Sequence, residues 1–211
     1  MLPKNHKVII ELFGLPGSGK STLLNNLKNQ FPSIETIRPT SKGRGILRFF
    51  LRYPTLTLSW LIIVTSSSIF SGHWSLLRYR LSVLLSTYEA MGQALVSERE
   101  VIILDEGLLQ RALALYEEPR SAQQFLKLLK YYPREVSGIV LVNKNKNYFG
   151  RYEDTNHPRR RVGEKYFDHY KSTLVKHHSD IVSALEKTDI QVYRYDESDD
   201  YSDLYKQLVS S

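Results

Sequence analysis

The sequence predicts a three-layer α/β fold with a parallel five-stranded sheet. Three apolar runs carry this prediction, because each has the composition of a strand buried on both faces: Val8–Phe13, Val101–Leu104 and residues 138–142. Residues 76–96 and 166–185 show helical periodicity between or after these strands. Strands that alternate with helices form a parallel sheet covered by helices on both faces.

Two weaker strands complete the predicted sheet. Residues 33–38 form a short second strand that ends at Pro39, and residues 190–195 form the fifth. The helix after the first strand begins near Ser21. With 211 residues, the chain has the size of one domain with a substantial core. We therefore predict a single domain over residues 1–211.

The connection after the first strand has the pattern of a phosphate-binding loop. It fits G-x-x-x-x-G-K-[ST] at every fixed position, with a strand before it and a helix after it. Its glycines let backbone N–H groups surround a phosphate, and the helix N-terminus adds positive charge. We expect Lys20 to bridge the β- and γ-phosphates, and the pattern predicts the fold of a P-loop NTPase. The predicted nucleotide-binding residues are Gly14, Pro16, Gly17, Ser18, Gly19, Lys20, Ser21 and Thr22.

An acidic pair follows the predicted third strand. Asp105 and Glu106 come directly after Val101–Leu104, the arrangement of a Walker B motif. We expect Asp105 and the Ser21 hydroxyl to hold the Mg²⁺ that arrives with the nucleotide. Glu106 is the candidate that accepts a proton from, or orients, the attacking group. A pair of solvated surface carboxylates is the alternative.

Arginines are dense after the predicted fourth strand. Arg151, Arg159, Arg160 and Arg161 lie in a stretch whose glycine, asparagine and proline residues are typical of a loop. A mobile lid with arginines can cover the charge that develops during phosphoryl transfer and exclude water. We predict a lid over about residues 146–163, with Arg159 and Arg160 as catalytic candidates. A solvated basic loop or a nucleic-acid patch is the alternative.

Two further arginines are candidates for binding an anionic acceptor. Arg38, at the end of the second strand, would face the phosphate loop across the cleft. Arg80, near the start of the long helix, has the same potential, as does Arg78. Ordinary surface charge is the alternative for Arg38, and it is the favoured interpretation of Arg78 and Arg80.

These residues together resemble the thymidylate kinase-like branch of P-loop nucleoside and nucleotide kinases. Ile37-Arg38-Pro39-Thr40 is similar to the family's Arg-Glu-Pro at the end of the second strand. The long helix that leads into the strand ending at Asp105 is also similar, although Glu106 replaces the family's Arg. The resemblance implies the family's fold and the use of ATP with Mg²⁺. The segment 43–75 has no counterpart in it.

The unmatched segment contains a long stretch without charge. Residues 53–77 include no Asp, Glu, Lys or Arg, and the stretch has the ~20-residue length that spans a bilayer. A single crossing would separate the phosphate loop from Asp105, so we expect no transmembrane span. We predict a helical insertion at about residues 43–98 on the acceptor side. In it, residues 53–77 form a pair of buried helices that belongs to an acceptor-side subdomain or makes a homodimer contact. Peripheral membrane contact is the alternative.

The predicted activity is transfer of the γ-phosphoryl of ATP to a small, anionic acceptor by a cytoplasmic kinase. The chain has no Cys and opens without a charged-then-apolar leader. A net charge of +7 suits a polyanionic ligand and leaves nucleic acid open. A P-loop ATPase or a nucleic-acid-end kinase is the main alternative. A GTPase is disfavoured because Lys146 stands where a guanine-reading motif needs a carboxylate.

Overall fold

The computed structural model shows an α/β molecule built around one sheet. Its five strands all run parallel, in the order β2-β3-β1-β4-β5. The predicted five-stranded parallel sheet is therefore confirmed. The strands are β1 (Val8–Phe13), β2 (Ile34–Ile37), β3 (Val101–Leu104), β4 (Val136–Val142) and β5 (Gln191–Tyr195). The structure describes residues 7–37, 43–70, 74–143, 149, 158–196 and 200–209.

Helices cover both faces of the sheet. Alternate side chains of β1 enter different cores: Ile9 and Phe13 pack into one, and Ile10 and Leu12 into the other. This alternation follows from the two-residue period of a strand and produces the three layers. The described helices are α1 (Lys20–Gln30), α2 (Arg44–Arg52), α3 (Pro54–Phe70), α4 (Trp74–Val96), α5 (Leu108–Ala112), α6 (Ala122–Leu129), α7 (Glu164–Leu185) and α8 (Tyr201–Val209), with a 3₁₀ turn at Arg160–Val162.

The boundaries of the predicted elements differ by small amounts from the observed ones. Strands β1 and β3 match the predicted bounds, whereas β4 begins two residues earlier than predicted, at Val136. Helices α4 and α7 each begin two residues before the predicted start. Apolar periodicity identifies the buried part of a helix and not its first, more exposed turn, so these ends are the least predictable.

Helices α2, α3 and α4 connect β2 to β3. Helix α2 lies directly on α4, so close that a Cβ added at Gly92 would clash with the carbonyl oxygen of Gly45. Glu89 of α4, buried at this contact, accepts a hydrogen bond from the backbone N–H of Ile46 at 3.0 Å. The carboxylate thereby pairs one of the N–H groups that the start of α2 leaves without a helical partner. Two glycines and one acid thus fix α2 on α4.

The charge-free segment is less buried than predicted. Residues 54–70 form helix α3, which buries Leu56, Trp60 and Val64 on one side and exposes Leu58 and Ile62 on the other, and residues 74–77 begin α4. The buried residues recur every four positions, which places them on one helix face. Among the described residues no single helix has the length and composition of a membrane span. The pair α2 and α3 meets that test only together, and it is bent by 111°.

Candidate active site

The phosphate-binding loop connects β1 to α1 and has the geometry its sequence predicts. Gly17 and Gly19 have φ angles of 87° and 98°, in the left-handed region that favours glycine. The Lys20 ammonium donates to the carbonyl oxygens of Gly14 at 2.8 Å and Leu15 at 2.9 Å, so it lies across the loop. The Ser18 hydroxyl is buried and has no hydrogen-bond partner among the described residues. The loop therefore offers donors that a bound phosphate would satisfy.

Lys20 is the cation of this loop, and its surroundings lower the pKa of its ammonium group. Desolvation by burial lowers the pKa of Lys20 to about 8, while the nearby Asp105 carboxylate opposes that shift. A phosphate group beside Lys20 would favour the charged form and raise its pKa again. The loop is thus prepared for an anion.

Two oxygen-bearing side chains near the phosphate loop have the chemistry that Mg²⁺ prefers. Ser21 is in the first turn of α1, and Asp105 follows β3, which pairs in parallel with β1. Hydroxyl and carboxylate oxygens are hard ligands that suit Mg²⁺. The electrostatic effect of Asp105 on Lys20 shows that this carboxylate lies near the loop. These residues therefore fit the ion that accompanies ATP.

Glu106 belongs to a second group of side chains at the end of β3. Its carboxylate forms an ion pair with Arg111 of α5. Arg111 also donates to the Thr87 hydroxyl at 2.9 Å, and the neighbouring Gln110 accepts a hydrogen bond from the backbone N–H of Gly14 at 3.3 Å. Helix α5 thus connects the candidate base to the start of the phosphate loop.

A cavity opens beside the phosphate loop and contains this group. Its volume is about 80 Å³, below the ~300 Å³ from which small-molecule pockets begin, so a nucleoside-sized acceptor would have to widen it. Side chains of α3, α4, α5 and α7 line it, together with Arg159 from the end of the predicted lid. Its polar or charged lining residues are Tyr79, Arg80, Glu106, Gln110, Arg111, Arg159 and Tyr170.

Comparison with solved structures identifies the fold. The structure of deoxyadenosine kinase from M. mycoides with bound dATP aligns with a TM-score of 0.52 and 14% sequence identity, over 97% of this chain and 100% of that one. The chain has the fold of a P-loop nucleoside kinase. The same enzyme with products dCMP and a flexible dCDP bound aligns with a TM-score of 0.47 at 15% identity, over the same shares of both chains. No protein-family model and no curated protein sequence matches the chain.

Within this kinase fold, Arg80 and Arg159 are buried and share one carboxylate. Glu117 lies 3.0 Å from a guanidinium nitrogen of Arg80 and 3.5 Å from one of Arg159. The Tyr166 hydroxyl donates to the same carboxylate. Arg159 also lies over the Tyr170 ring, 4.0 Å from its centroid. The structure therefore brings a predicted acceptor-binding residue and a predicted lid residue into one cluster on the cavity wall.

Arg80 and Arg160 both have partners within the protein, with which a bound anion would have to compete. Arg80 also donates to the Ser68 hydroxyl at 2.6 Å and to the carbonyl oxygen of Leu115 at 2.7 Å. Arg160 pairs with Glu164 at 3.3 Å and lies over the ring of Phe167. Their roles in catalysis or binding stay predictions.

Several of the residues predicted from sequence lie outside the part that the structure describes. Arg38 and Arg151 do, as does the predicted lid apart from Phe149 and residues 158–163. Arg161 is among the described residues, and it is exposed. The thymidylate kinase-like resemblance likewise stays a prediction.

Glu11 is a buried acid behind the phosphate loop that the sequence analysis did not single out. Its side chain lies within the sheet's apolar surroundings, where it accepts hydrogen bonds from the backbone N–H of Gln110 at 2.8 Å and from the Tyr132 hydroxyl. Desolvation by burial raises the pKa of Glu11 to about 7, although both hydrogen bonds oppose this. A carboxylate inside an otherwise apolar strand was the signal in the sequence, because such a group requires partners.

Proposed function

We propose that the protein is an ATP-dependent small-molecule kinase that transfers the γ-phosphoryl group to a hydroxyl of a nucleoside or a closely related acceptor. One observation carries the proposal: the phosphate loop and the Glu106–Arg111 pair meet at one cavity, which Pro16 of the loop helps to line. Nucleotide and acceptor would therefore lie side by side. This proximity supplies a large part of the catalysis of phosphoryl transfer.

The phosphate loop would bind ATP through its backbone and Lys20. The ammonium would exchange its two carbonyl partners in the loop for phosphate oxygens and follow the charge onto the transferred group. Ser21 and Asp105 would hold Mg²⁺, which neutralises phosphate charge when it is bound. Neither step requires the sheet to rearrange, because Lys20, Ser21 and Asp105 all lie at the carboxyl ends of the strands.

Glu106 would act on the acceptor hydroxyl. Its carboxylate is half-exposed at the cavity and pairs with Arg111, so an acceptor hydroxyl can compete for one of its oxygens. Accepting the hydroxyl proton makes the acceptor oxygen a better nucleophile. Arg111 would keep the carboxylate oriented and ionised.

The shared carboxylate of Glu117 favours a neutral acceptor over the anionic one that the sequence suggested. Arg80 and Arg159 both direct charge toward Glu117, which leaves less positive charge for an acceptor phosphate. The fold neighbour with the higher TM-score is a deoxyadenosine kinase, and this supports nucleosides as the first class to test. A monophosphate acceptor would have to attract an arginine away from a buried partner.

The experiment measures ADP release from ATP and Mg²⁺ with a panel of acceptors. Deoxynucleosides, ribonucleosides, their monophosphates and sugars are compared under one condition, and phosphorylated products are identified by mass spectrometry. We expect turnover that requires a nucleoside, with Lys20→Ala inactive but folded. The matched control is Lys28→Ala, which removes a lysine near the end of the same helix.

Three results would contradict the proposal. Equal ADP release with and without any acceptor would indicate an ATPase. Turnover that requires an oligonucleotide would indicate a nucleic-acid-end kinase. Full activity of Lys20→Ala would remove the phosphate loop from the mechanism.

A further inference from the structure

The positive charge of the chain is concentrated in one segment. Between Glu35 and Glu89 there is no Asp or Glu. Seven of the chain's 29 Lys and Arg lie in that segment, and the other 22 match the 22 Asp and Glu of the remaining chain. The formal net charge of +7 therefore belongs entirely to this one segment. The seven cations are Arg38, Lys42, Arg44, Arg48, Arg52, Arg78 and Arg80.

Helix α2 presents part of this charge next to exposed leucines. The helix buries Gly45 and Phe49 against α4 and turns its opposite side to solvent. That outer side carries Leu47, which is 61% exposed, and Leu51, which is 70% exposed. Arg44 and Arg48 are exposed as well and fall one helical turn apart on the adjoining strip. The apolar side of α2 is therefore wider than the part that α4 covers.

The arginines of this outer side have few partners of their own. Arg44 and Arg48 form no ion pair with another described residue, whereas Arg52 pairs with Glu135 at 3.0 Å. Their charges are thus available to an external anion. The long side chains can reach past the leucines, because arginine extends its charged end while its stem covers apolar surface.

The two helices that follow α2 carry further exposed apolar side chains. Helix α3 exposes Leu58 and Ile62, the latter by 65%. A groove between α2 and α4 is lined by Ile46, Trp74 and Leu81 among others. Scattered exposed leucines are ordinary on a protein surface, but two leucines one helical turn apart, beside two arginines of the same helix that form no ion pair with a described residue, mark an interaction surface.

We propose that the outer face of α2 docks the protein on an anionic lipid bilayer. Leu47 and Leu51 would enter the boundary between head groups and acyl chains, and Arg44 and Arg48 would contact lipid phosphates. Amphipathic helices that bind membranes in their plane combine these features, and anionic lipids attract basic residues at the surface. The charge of the face decides against a second copy of the chain, since two copies of α2 would bring Arg44 and Arg48 together and the helix itself carries no carboxylate. The inference does not depend on the proposed kinase activity.

The test is co-flotation of the full chain with vesicles. Vesicles of phosphatidylglycerol and phosphatidylcholine are compared with vesicles of phosphatidylcholine alone, at low and high salt. We expect binding only to the anionic vesicles, weakened by salt. Arg44→Glu/Arg48→Glu should reduce the affinity about 25-fold or more, because each cation near the surface contributes about fivefold. Leu47→Ser/Leu51→Ser should reduce it at least about tenfold through lost apolar burial.

The control is Lys127→Glu/Lys130→Glu, which makes the same change in net charge at exposed positions of α6 and its end. It should bind anionic vesicles nearly as well as the wild type. Thermal melting of all variants checks that they fold, which their solvent exposure leads us to expect. Equal losses of affinity in the control and in the α2 arginine variant would overturn the proposal. Vesicle binding that is unchanged in Leu47→Ser/Leu51→Ser would also overturn it. A concentration-dependent dimer that the leucine variant disrupts, without vesicle binding, would overturn it in favour of a second copy.

Discussion

Removing the Glu117 carboxylate should destabilise the fold by several kcal/mol. The side chain is 5% exposed, and those of its partners Arg80 and Arg159 are each 3% exposed. Glu117→Ala therefore leaves two buried guanidinium groups without their shared counter-charge, and the Tyr166 hydroxyl without its acceptor. Breaking a buried ion pair by removing one partner costs about 3–5 kcal/mol.

This loss is large compared with the stability of a domain. Folded proteins are stable by about 5–15 kcal/mol, so Glu117→Ala should lose a substantial fraction of the total. For a chain of this size each kcal/mol shifts Tm by about 2–4 °C, which gives an expected fall of about 6–20 °C. Urea denaturation followed by circular dichroism measures the free energy of unfolding directly.

The neighbouring residue provides a matched control. Glu118 is 71% exposed and lies 3.4 Å from His169. Glu118→Ala therefore removes the same charge one position away without depriving a buried cation of its counter-charge. It should cost less than about 0.5 kcal/mol. If Glu117→Ala and Glu118→Ala were equally stable, the buried cluster would contribute nothing, and the argument from burial would be refuted. A double variant Glu117→Ala/Arg80→Met should recover part of the loss, because it removes one of the stranded charges.

Three further predictions concern groups around the phosphate loop. Affinity for ATP should be constant below a pH of about 8 and fall up to tenfold per pH unit above it, because the Lys20 pKa is about 8 without ligand and phosphate raises it. Calorimetric titration at several pH values measures this affinity. A Lys20→Arg variant with the same pH profile would contradict the prediction. Glu106→Gln should lower kcat on the order of 10²–10³-fold and leave ATP affinity unchanged, since it removes a proton acceptor. Steady-state kinetics measures both effects. A change in the acceptor KM alone would make Glu106 a specificity residue. Glu11 has its folded pKa raised from 4.5 to about 7, so the folded state binds the proton more tightly. Its contribution to stability is complete below pH 4.5 and declines by about 3 kcal/mol as pH rises through about 7. Relative to Glu11→Gln, the wild type should therefore lose stability over that range in urea denaturation, and parallel pH profiles of the two would refute the assignment.

The central strands were predictable because their signal is local. Val101–Leu104 is apolar throughout and Val8–Phe13 is apolar except for Glu11, and both are bounded by turns or charge, so burial on both faces follows from composition. The phosphate loop was predictable for a similar reason, since one short pattern specifies its backbone and its chemistry. The sheet and the nucleotide half of the candidate site therefore follow from the sequence.

The acceptor half was less predictable because its contacts are distant in sequence. Arg80 has the sequence context of a surface cation, and its burial depends on Glu117, 37 positions later. Glu11 interacts with Tyr132 across 121 positions. No local pattern encodes such pairs. Helix α3 shows the same difficulty in another form, because a charge-free sequence predicts burial on all sides, whereas the fold covers only one.

The order of strands in the sheet also has a consequence for synthesis on the ribosome. Strand β1 is central, and its neighbours are β3 and β4, the latter ending at Val142. The phosphate loop has emerged long before either neighbour exists. At about 5–20 residues per second, on the order of ten seconds of elongation separates β1 from β4. We expect the loop to acquire its geometry only after that interval, so a bound nucleotide would stabilise the nascent chain only late in translation, when most of the protein has already been made.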